Sequence, residues 1–366
     1  MPDRMIPFTT PFRAPRELDY VGESLASGHT HGDGPFTVRA GALLAPLVGD
    51  GSTLLTTSCT HALEMAAILL DLGPGDEVVL PSFTFVSSVN CVVLRGAVPV
   101  FVDIRPDTLN LDETLLDAAI TPRTKAIMVV HYGGVACEMD TVLAVARKHG
   151  LPVVEDNAHG LGGRYHGRPL GSFGRLSTLS FHATKNVSCG EGGALTINDP
   201  ALVHRAEVVR EKGTNRSQFH RGEVSKYRWI DVGSSYLPSD VLAALLCAQL
   251  ETFDDIQARR HHVWSTYHER LEAWAEKLGV QRPHVPDGCE HPAHVYQLVL
   301  PTADERGRFI AHMAARGIVT PFHYVPLHSA PAGEQFGRTA PGGCPVTEDL
   351  AARLVRLPLF AGLGAE

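Results

Sequence analysis

Leu151 to Asn198 reads LPVVEDNAHGLGGRYHGRPLGSFGRLSTLSFHATKNVSCGEGGALTIN, and the rest of the chain is organised around it. The apolar run Leu151–Val154 turns acidic at Glu155 and Asp156, as a buried parallel strand does when its carboxyl end meets a site. A second short strand, Leu176 to Phe181, leads through Ser180-Phe181-His182-Ala183-Thr184 to Lys185. The glycine pair Gly192-Gly193 then precedes a third apolar run, Ala194 to Ile197.

Outward from this stretch, strands and helices alternate. On the N-terminal side, Lys125 to Val130 reads as a strand ending in His131-Tyr132-Gly133-Gly134, and Asp140 to His149 as a helix. Ser52 to Thr56, Val78 to Leu80 and Pro99 to Val102 are further short strands. Ser58-Cys59-Thr60-His61 opens a helix through Leu70, and Pro81-Ser82-Phe83-Thr84-Phe85 leads into another. Residues 1–15 read as an extended arm, Glu17 to Ser27 as a helix, and Gly28 to Thr37 as a polar glycine-rich loop. On the C-terminal side, Pro200 to Arg210 is a helix, and a long helix with breaks runs from Ser239 to about Leu271. Ala293 to Leu300, a helix over Ala303 to Ala315, Val319 to Tyr324 and Val346 to Leu354 have a ββα flavour. Strands spaced by helices at this interval mean a mainly parallel sheet with helices on both faces. The expected class is α/β: a large domain with its N-terminal arm over 1–251, then a small α+β domain over 252–366.

A carboxylate at one strand end and a lysine just past another suit pyridoxal phosphate chemistry. The lysine forms the Schiff base, and the carboxylate keeps the pyridinium nitrogen protonated so that the ring can act as an electron sink. Taken alone, such a pair is more often a strand-end cap and a surface charge. Ser58 and Thr60 at a helix start make a ready phosphate seat, although capping is the commoner use of such hydroxyls. An aromatic in PSFTF could stack on a pyridine ring, but composition favours a core role.

Length and composition narrow the class. At 366 residues, with 44% hydrophobic and 20% charged side chains, the chain has the balance of a soluble enzyme of two or three domains. A net charge of −8 offers no support for a nucleic-acid partner. The 7 cysteines are scattered singly, which argues for reduced thiols and against a disulfide framework or a zinc site. MPDRMIPFTTPFRAP lacks the apolar core of a secretory signal, and no run approaches a membrane span. A cytoplasmic location is expected.

EDNAHG, SFHATKN and GEGGAL, in that order, resemble the core of the DegT/DnrJ/EryC1/StrS sugar aminotransferases. The resemblance extends over nearly the whole chain. CTHALEMAAILLDLGPGDEVVLPSFTFVSSVN, HYGGVACEMD, EKGTNRSQF and FHYVPLH are similar to the branch that aminates TDP-4-keto-6-deoxyglucose, giving TDP-4-amino-4,6-dideoxygalactose at the expense of L-glutamate. It implies the aspartate-aminotransferase type of fold (fold type I), pyridoxal 5′-phosphate with its pyridoxamine form as intermediate, and a homodimer with shared sites. Residue by residue, it implies Lys185 as the Schiff-base lysine and proton shuttle and Asp156 as the partner of the ring nitrogen. His159 and Phe83 would face the ring, and Ser58, Cys59 (through its backbone), Thr60 and Ser180 would hold the phosphate. Where the family has Gly-x-Asn reaching the partner's phosphate, this chain has Gly233-Ser234-Ser235-Tyr236, which leaves Ser235 as the substitute. Family members also continue past LPLF into a final helix, whereas this sequence stops at Glu366. Candidates for the nucleotide sugar are His29, His31, Arg216, Tyr324 and His328. Each has a bland alternative: solvated loop residues for the histidines, an interface ion pair for Arg216, domain packing for Tyr324. Two other functions fit the same fold: a keto-sugar dehydratase, which characteristically has His where Lys185 stands, and a non-catalytic sensor or binding protein.

Overall fold

A computed structural model describes residues 5–364 of the chain. The strands are β1 (Ser52–Thr56), β2 (Glu77–Pro81), β3 (Val98–Val102), β4 (Thr124–Val130), β5 (Val153–Asp156), β6 (Arg164–Tyr165) and β7 (Arg168–Pro169). They continue with β8 (Leu176–Ser180), β9 (Gly193–Ile197), β10 (Cys289–Glu290), β11 (Tyr296–Val299), β12 (Arg338–Thr339) and β13 (Leu354–Leu357). Eight of them form one sheet in the order β1-β9-β8-β5-β4-β2-β3-β12. Its pairings are parallel except those that β9 makes with β1 and β8, so β9 alone runs against the rest. The sheet is mixed and mainly parallel.

Period-two alternation assigns the sheet's side chains to two cores. Val78, Leu80, Ala126 and Met128 pack with the helix Cys59–Leu69 on one face. Val79, Ile127 and Val129, their neighbours in sequence, pack with the helix Met139–His149 on the other. Both faces being covered, β2 is buried at every position. A third core joins Leu55, Leu179 and Ala194 to the helices Pro35–Val48 and Asp240–Glu251.

The C-terminal part has a core of its own. Val263 and Trp264 of the helix Phe253–Arg270 pack on Tyr296, Leu298, Val355 and Leu357 of the antiparallel pair β11–β13. The long helix breaks at Thr252, whose hydroxyl turns back to donate to the Ala248 carbonyl, 2.6 Å away.

Several expectations need correction. The glycine-rich loop ends at Gly34, because Pro35 starts a helix that local sequence does not cap. Its cap comes from Asp240, which accepts from the backbone N–H groups of Phe36 and Thr37 at 3.3 and 2.8 Å. Val319–Tyr324 forms no strand; Val319 bonds instead to Ile6 of the arm. The arm therefore lies against the C-terminal part at Ile6 and Phe8, while Phe12 and Ala14 pack with the helix Asp240–Glu251, and Met1–Arg4 fall outside the described residues. Val346–Leu354 is the helix Pro345–Arg353, followed directly by β13. The edge strand β12 lies within the 252–366 segment yet pairs with β3 of the large sheet. Arg338 anchors it by an ion pair to the buried Glu77, at 2.8 Å. Among the described residues, no helix is long and apolar enough to cross a membrane.

Candidate active site

Parallel strands deliver their carboxyl ends to one edge of the sheet, where a crevice opens. That edge borders a cavity of about 830 Å³. Ser58, Thr60, Asp156, Ser180 and Lys185 line it from the large sheet's side, His294 and Arg356 from the C-terminal part, and Phe8 from the arm.

Asp156 ends β5 and is buried, which raises its pKa. It is held in place by the Ser88 hydroxyl, which donates to Oδ2 at 2.6 Å, and by the Ala158 N–H, which donates to Oδ1 at 3.2 Å. Lys185 follows β8 on a turn closed by its own N–H to the His182 carbonyl, at 2.9 Å. Burial pushes its amine down to about 8, against the opposing pull of Cys59 and Asp156. The next residue locks this turn. Asn186 donates to the Pro292 carbonyl at 2.7 Å and pairs with His294 at 2.8 Å.

The helix Cys59–Leu69 points its N-terminus at the cavity. Ser58 caps it, accepting from His61 N–H at 3.1 Å. The N–H groups of Cys59 and Thr60 sit in the first turn, where helix geometry provides no acceptor, and both residues line the cavity. Gly193 permits this placement: a Cβ there would lie 2.3 Å from the Ser58 carbonyl carbon and 2.4 Å from Cys59 N. Free N–H groups, hydroxyls and the helix dipole together make a seat for a phosphate-sized anion.

His159 accepts from the Gly133 N–H at 3.3 Å and lies 3.4 Å from the Tyr324 hydroxyl. It stacks on His294 with ring centroids 4.3 Å apart. Burial keeps His159, His294 and His323 neutral by pushing their pKa values well below the usual range. Tyr324 takes the left-handed backbone, with φ of 29°, and its phenol is buried and raised.

The other expected site residues lie elsewhere. Phe83 is fully buried beneath the cavity wall, packed on Tyr132 and Tyr324, as composition suggested. The aromatic of PSFTF that lines the cavity is Phe85, which is 57% exposed. The reason is local: Phe83 still faces the core after β2, while Phe85 precedes the helix Val86–Val93. His328 has both ring nitrogens engaged, with Ser82 at 2.7 Å and Glu348 at 3.0 Å, and does not line the cavity. Arg216 sits on the exposed helix Arg216–His220, bonded to His220 and Glu211. Ser235 is exposed beside Glu211, and His29 and His31 stack on each other in a surface loop. Sequence reasoning does not single out the cavity residues His294, His323 and Arg356, nor Ser88 behind Asp156. His294 and Arg356 belong to segments with no motif, whereas FHYVPLH contains His323 and PSFTFVSSVN contains Ser88.

Residues 13–366 match the family model of the DegT/DnrJ/EryC1/StrS aminotransferases. A curated relative, the spore coat polysaccharide biosynthesis protein SpsC of Bacillus subtilis (strain 168), is 35% identical over 369 residues, covering 99% of this chain and 94% of its own. The solved aminotransferase TlmJ from Streptoalloteichus hindustanus superposes with a TM-score of 0.89 at 32% identity, covering 99% and 95% of the two chains. The PLP form of Spr1654 from Streptococcus pneumoniae also gives 0.89, at 27% identity and with coverage of 99% and 95%.

Proposed function

The chain belongs to the DegT/DnrJ/EryC1/StrS aminotransferase family, and on that premise we propose that it moves an amino group from L-glutamate to a nucleotide-linked keto sugar, with pyridoxal 5′-phosphate as cofactor. The substrate we infer is TDP-4-keto-6-deoxy-D-glucose, and the product TDP-4-amino-4,6-dideoxy-D-galactose. The motifs CTHALEMAAILLDLGPGDEVVLPSFTFVSSVN and FHYVPLH support that choice. One observation carries the reaction type: a buried lysine near pKa 8 and a buried carboxylate share a cavity with an open helix N-terminus.

The residues present suit the cofactor. Ser58, Thr60, Ser180 and the N–H groups of Cys59 and Thr60 would hold its phosphate. Asp156 would pair with the ring nitrogen, and His159 and Phe85 would bound the ring. When bound, pyridoxal phosphate supplies the electron sink. Lys185, with an amine poised near 8, accepts a proton at Nζ and returns it within the cavity. The Ser88 hydroxyl keeps Asp156 aimed into the cavity.

The family resemblance also supports a homodimer. The helix Arg216–His220 and the 227–235 segment adjoin, with Asn215 N–H donating to the Arg228 carbonyl at 3.2 Å and the Phe219 and Tyr227 rings 5.9 Å apart, while the 28–34 loop is held by Arg210–Asp33 at 2.7 Å and by the Asp240 N–H to the Thr30 carbonyl at 3.1 Å. The 227–235 segment exposes Tyr227, Trp229, Ile230 and Val232, an apolar group of the kind a partner covers. On this reading His29, His31, Arg216 and Ser235 face the partner's cavity. The division near Thr252 and a cytoplasmic setting, supported by 7 unpaired cysteines, belong to the same proposal.

The test is amination by purified protein loaded with pyridoxal phosphate, given glutamate and either the 3-keto or the 4-keto TDP-6-deoxy sugar. Amination of the 4-keto sugar is expected. Exclusive use of the 3-keto isomer would overturn the substrate, and no amination of either sugar would overturn the reaction.

A further inference from the structure

Ala293 is fully buried and takes the left-handed backbone, with φ of 51°, a conformation that alanine rarely adopts. It lies in the turn between β10 and β11, directly before His294 of the cavity wall. Side chains from three segments hold this turn. Asn186 donates to the Pro292 carbonyl at 2.7 Å, and Arg260 donates to the carbonyls of Ala293 and His294 at 3.1 and 2.7 Å. The third is His291, whose Nδ1 accepts from the Ala293 N–H at 3.1 Å. Nδ1 can accept only while unprotonated. Burial, with His261 and His268 nearby, holds His291 down to about 4, so the imidazole is neutral at neutral pH. Its ring centroid lies 4.3 Å from that of Trp264 and 5.1 Å from that of His261. Gln257, Arg260, His261 and Trp264 recur at the spacing of one face of the helix Phe253–Arg270, so a single helix face supports the whole turn.

We propose that His291 is a positioning residue: its Nδ1 holds Ala293 in the left-handed conformation, and so sets Asn186 and His294 and through them the turn that carries Lys185. The inference rests on the aminotransferase reading and deepens it. The linkage is one rigid peptide unit. The Pro292 carbonyl that Asn186 grips and the Ala293 N–H that His291 accepts are the two ends of the same planar group. Asn186 Nδ2 donates to that carbonyl and to Gln257 Oε1 at 3.0 Å, so its Oδ1 accepts from His294 Nδ1–H at 2.8 Å. Asn186 is bonded in sequence to Lys185, and His294 stacks on His159. Without the imidazole acceptor, the Ala293 N–H is buried and unpaired, which costs free energy. The alanine then leaves the left-handed region, the peptide plane rotates, and Asn186 loses the carbonyl that steadies the residue beside Lys185.

The experiment compares His291→Phe, which keeps an aromatic ring against Trp264 but offers no acceptor, with His291→Asn, which gives up the ring but can accept from the N–H two residues on. The full chain loaded with pyridoxal phosphate is measured for kcat with glutamate and the keto sugar. The visible circular dichroism of the bound cofactor, which reports how the ring is held, is recorded alongside. In His291→Phe, kcat should fall roughly 10- to 100-fold, the effect of a displaced reacting group, and the visible band should change. His291→Asn should stay close to wild type in both. Adding Ala293→Gly to His291→Phe should restore most of the rate and the band, because glycine takes the left-handed conformation unaided. A reversed order, with His291→Asn defective and His291→Phe normal, would make the ring's packing the cause and overturn the assignment. So would a His291→Phe variant that is less stable yet has the wild-type kcat and band, or a double variant no better than His291→Phe. Should His291→Phe fail to fold, the double variant decides: a folded, active protein supports the assignment, and an unfolded or inactive one overturns it. Failure of the broader reading looks different. Wild type would then aminate neither sugar, while the visible bands of the variants would still decide whether the turn depends on the His291 acceptor.

Discussion

At the scale of single residues, the chemistry rests on dryness. An exposed lysine holds its proton to about 10.4, whereas burial brings Lys185 to about 8. The unfolded chain therefore binds the extra proton between those values, and stability of the cofactor-free protein should rise with pH across that window. Lys185→Met should flatten this slope in denaturant titrations at pH 7.5, 8.5 and 9.5, all values on the order of the shifted window. The same variant should abolish turnover while still binding the cofactor, because the phosphate seat and Asp156 remain. Full activity would remove Lys185 from the mechanism. Ser88→Ala deletes the 2.6 Å hydrogen bond to Asp156. A bond to a charged group contributes about 1.5–3 kcal/mol, so kcat/KM should fall roughly 10- to 100-fold with the fold intact. An unchanged kcat/KM would make Ser88 irrelevant to the orientation of Asp156.

At the scale of elements, distant carboxylates take over capping. Asp240 caps the helix Pro35–Val48, and Asp103, at the end of β3, caps Pro345–Arg353 through Val346 N and Thr347 N at 2.9 and 2.8 Å. Asp240→Ala should lower stability by about 2 kcal/mol, the upper end for a lost cap, as read from chemical denaturation. A change under about 0.5 kcal/mol, the level of a neutral surface substitution, would contradict it. The β12 edge has an acid limit. Burial alone would raise Glu77, but hydrogen bonds from Arg338, Thr121 and Arg123 hold it down to about 2. This contribution is full above the unfolded value of about 4.3 and is lost as pH falls toward 2. Glu77→Gln should lower stability at neutral pH and remove much of its decline between about pH 4.3 and 2. A mutant with the wild-type acid profile would show that Glu77 does not govern it.

At the scale of the whole molecule, the apolar group at Tyr227, Trp229, Ile230 and Val232 governs the expected assembly. Trp229 is 80% exposed in the single chain, so Trp229→Asp should leave the monomer folded, weaken dimerisation and lower activity at dilute protein. Light scattering and activity measured against concentration test this, and a fully active monomeric wild type would refute it.

The sequence by itself determined the alternation of the central strands and the helices between them, because β2, β3, β4, β5 and β9 are apolar runs and helices such as Cys59–Leu69 carry their own cap. It also placed Asp156 and Lys185, since a carboxylate and a lysine at strand ends flanked by EDNAHG and SFHATKN leave a local record. Only the tertiary structure decided which of Phe83 and Phe85 meets the cavity, since two residues of backbone direction separate a core side chain from an exposed one. The same holds for Arg356 and His294. They reach the site because β13 and the segment before β11 fold back across the large sheet's edge, and a contact made over that distance in sequence leaves no local pattern to read.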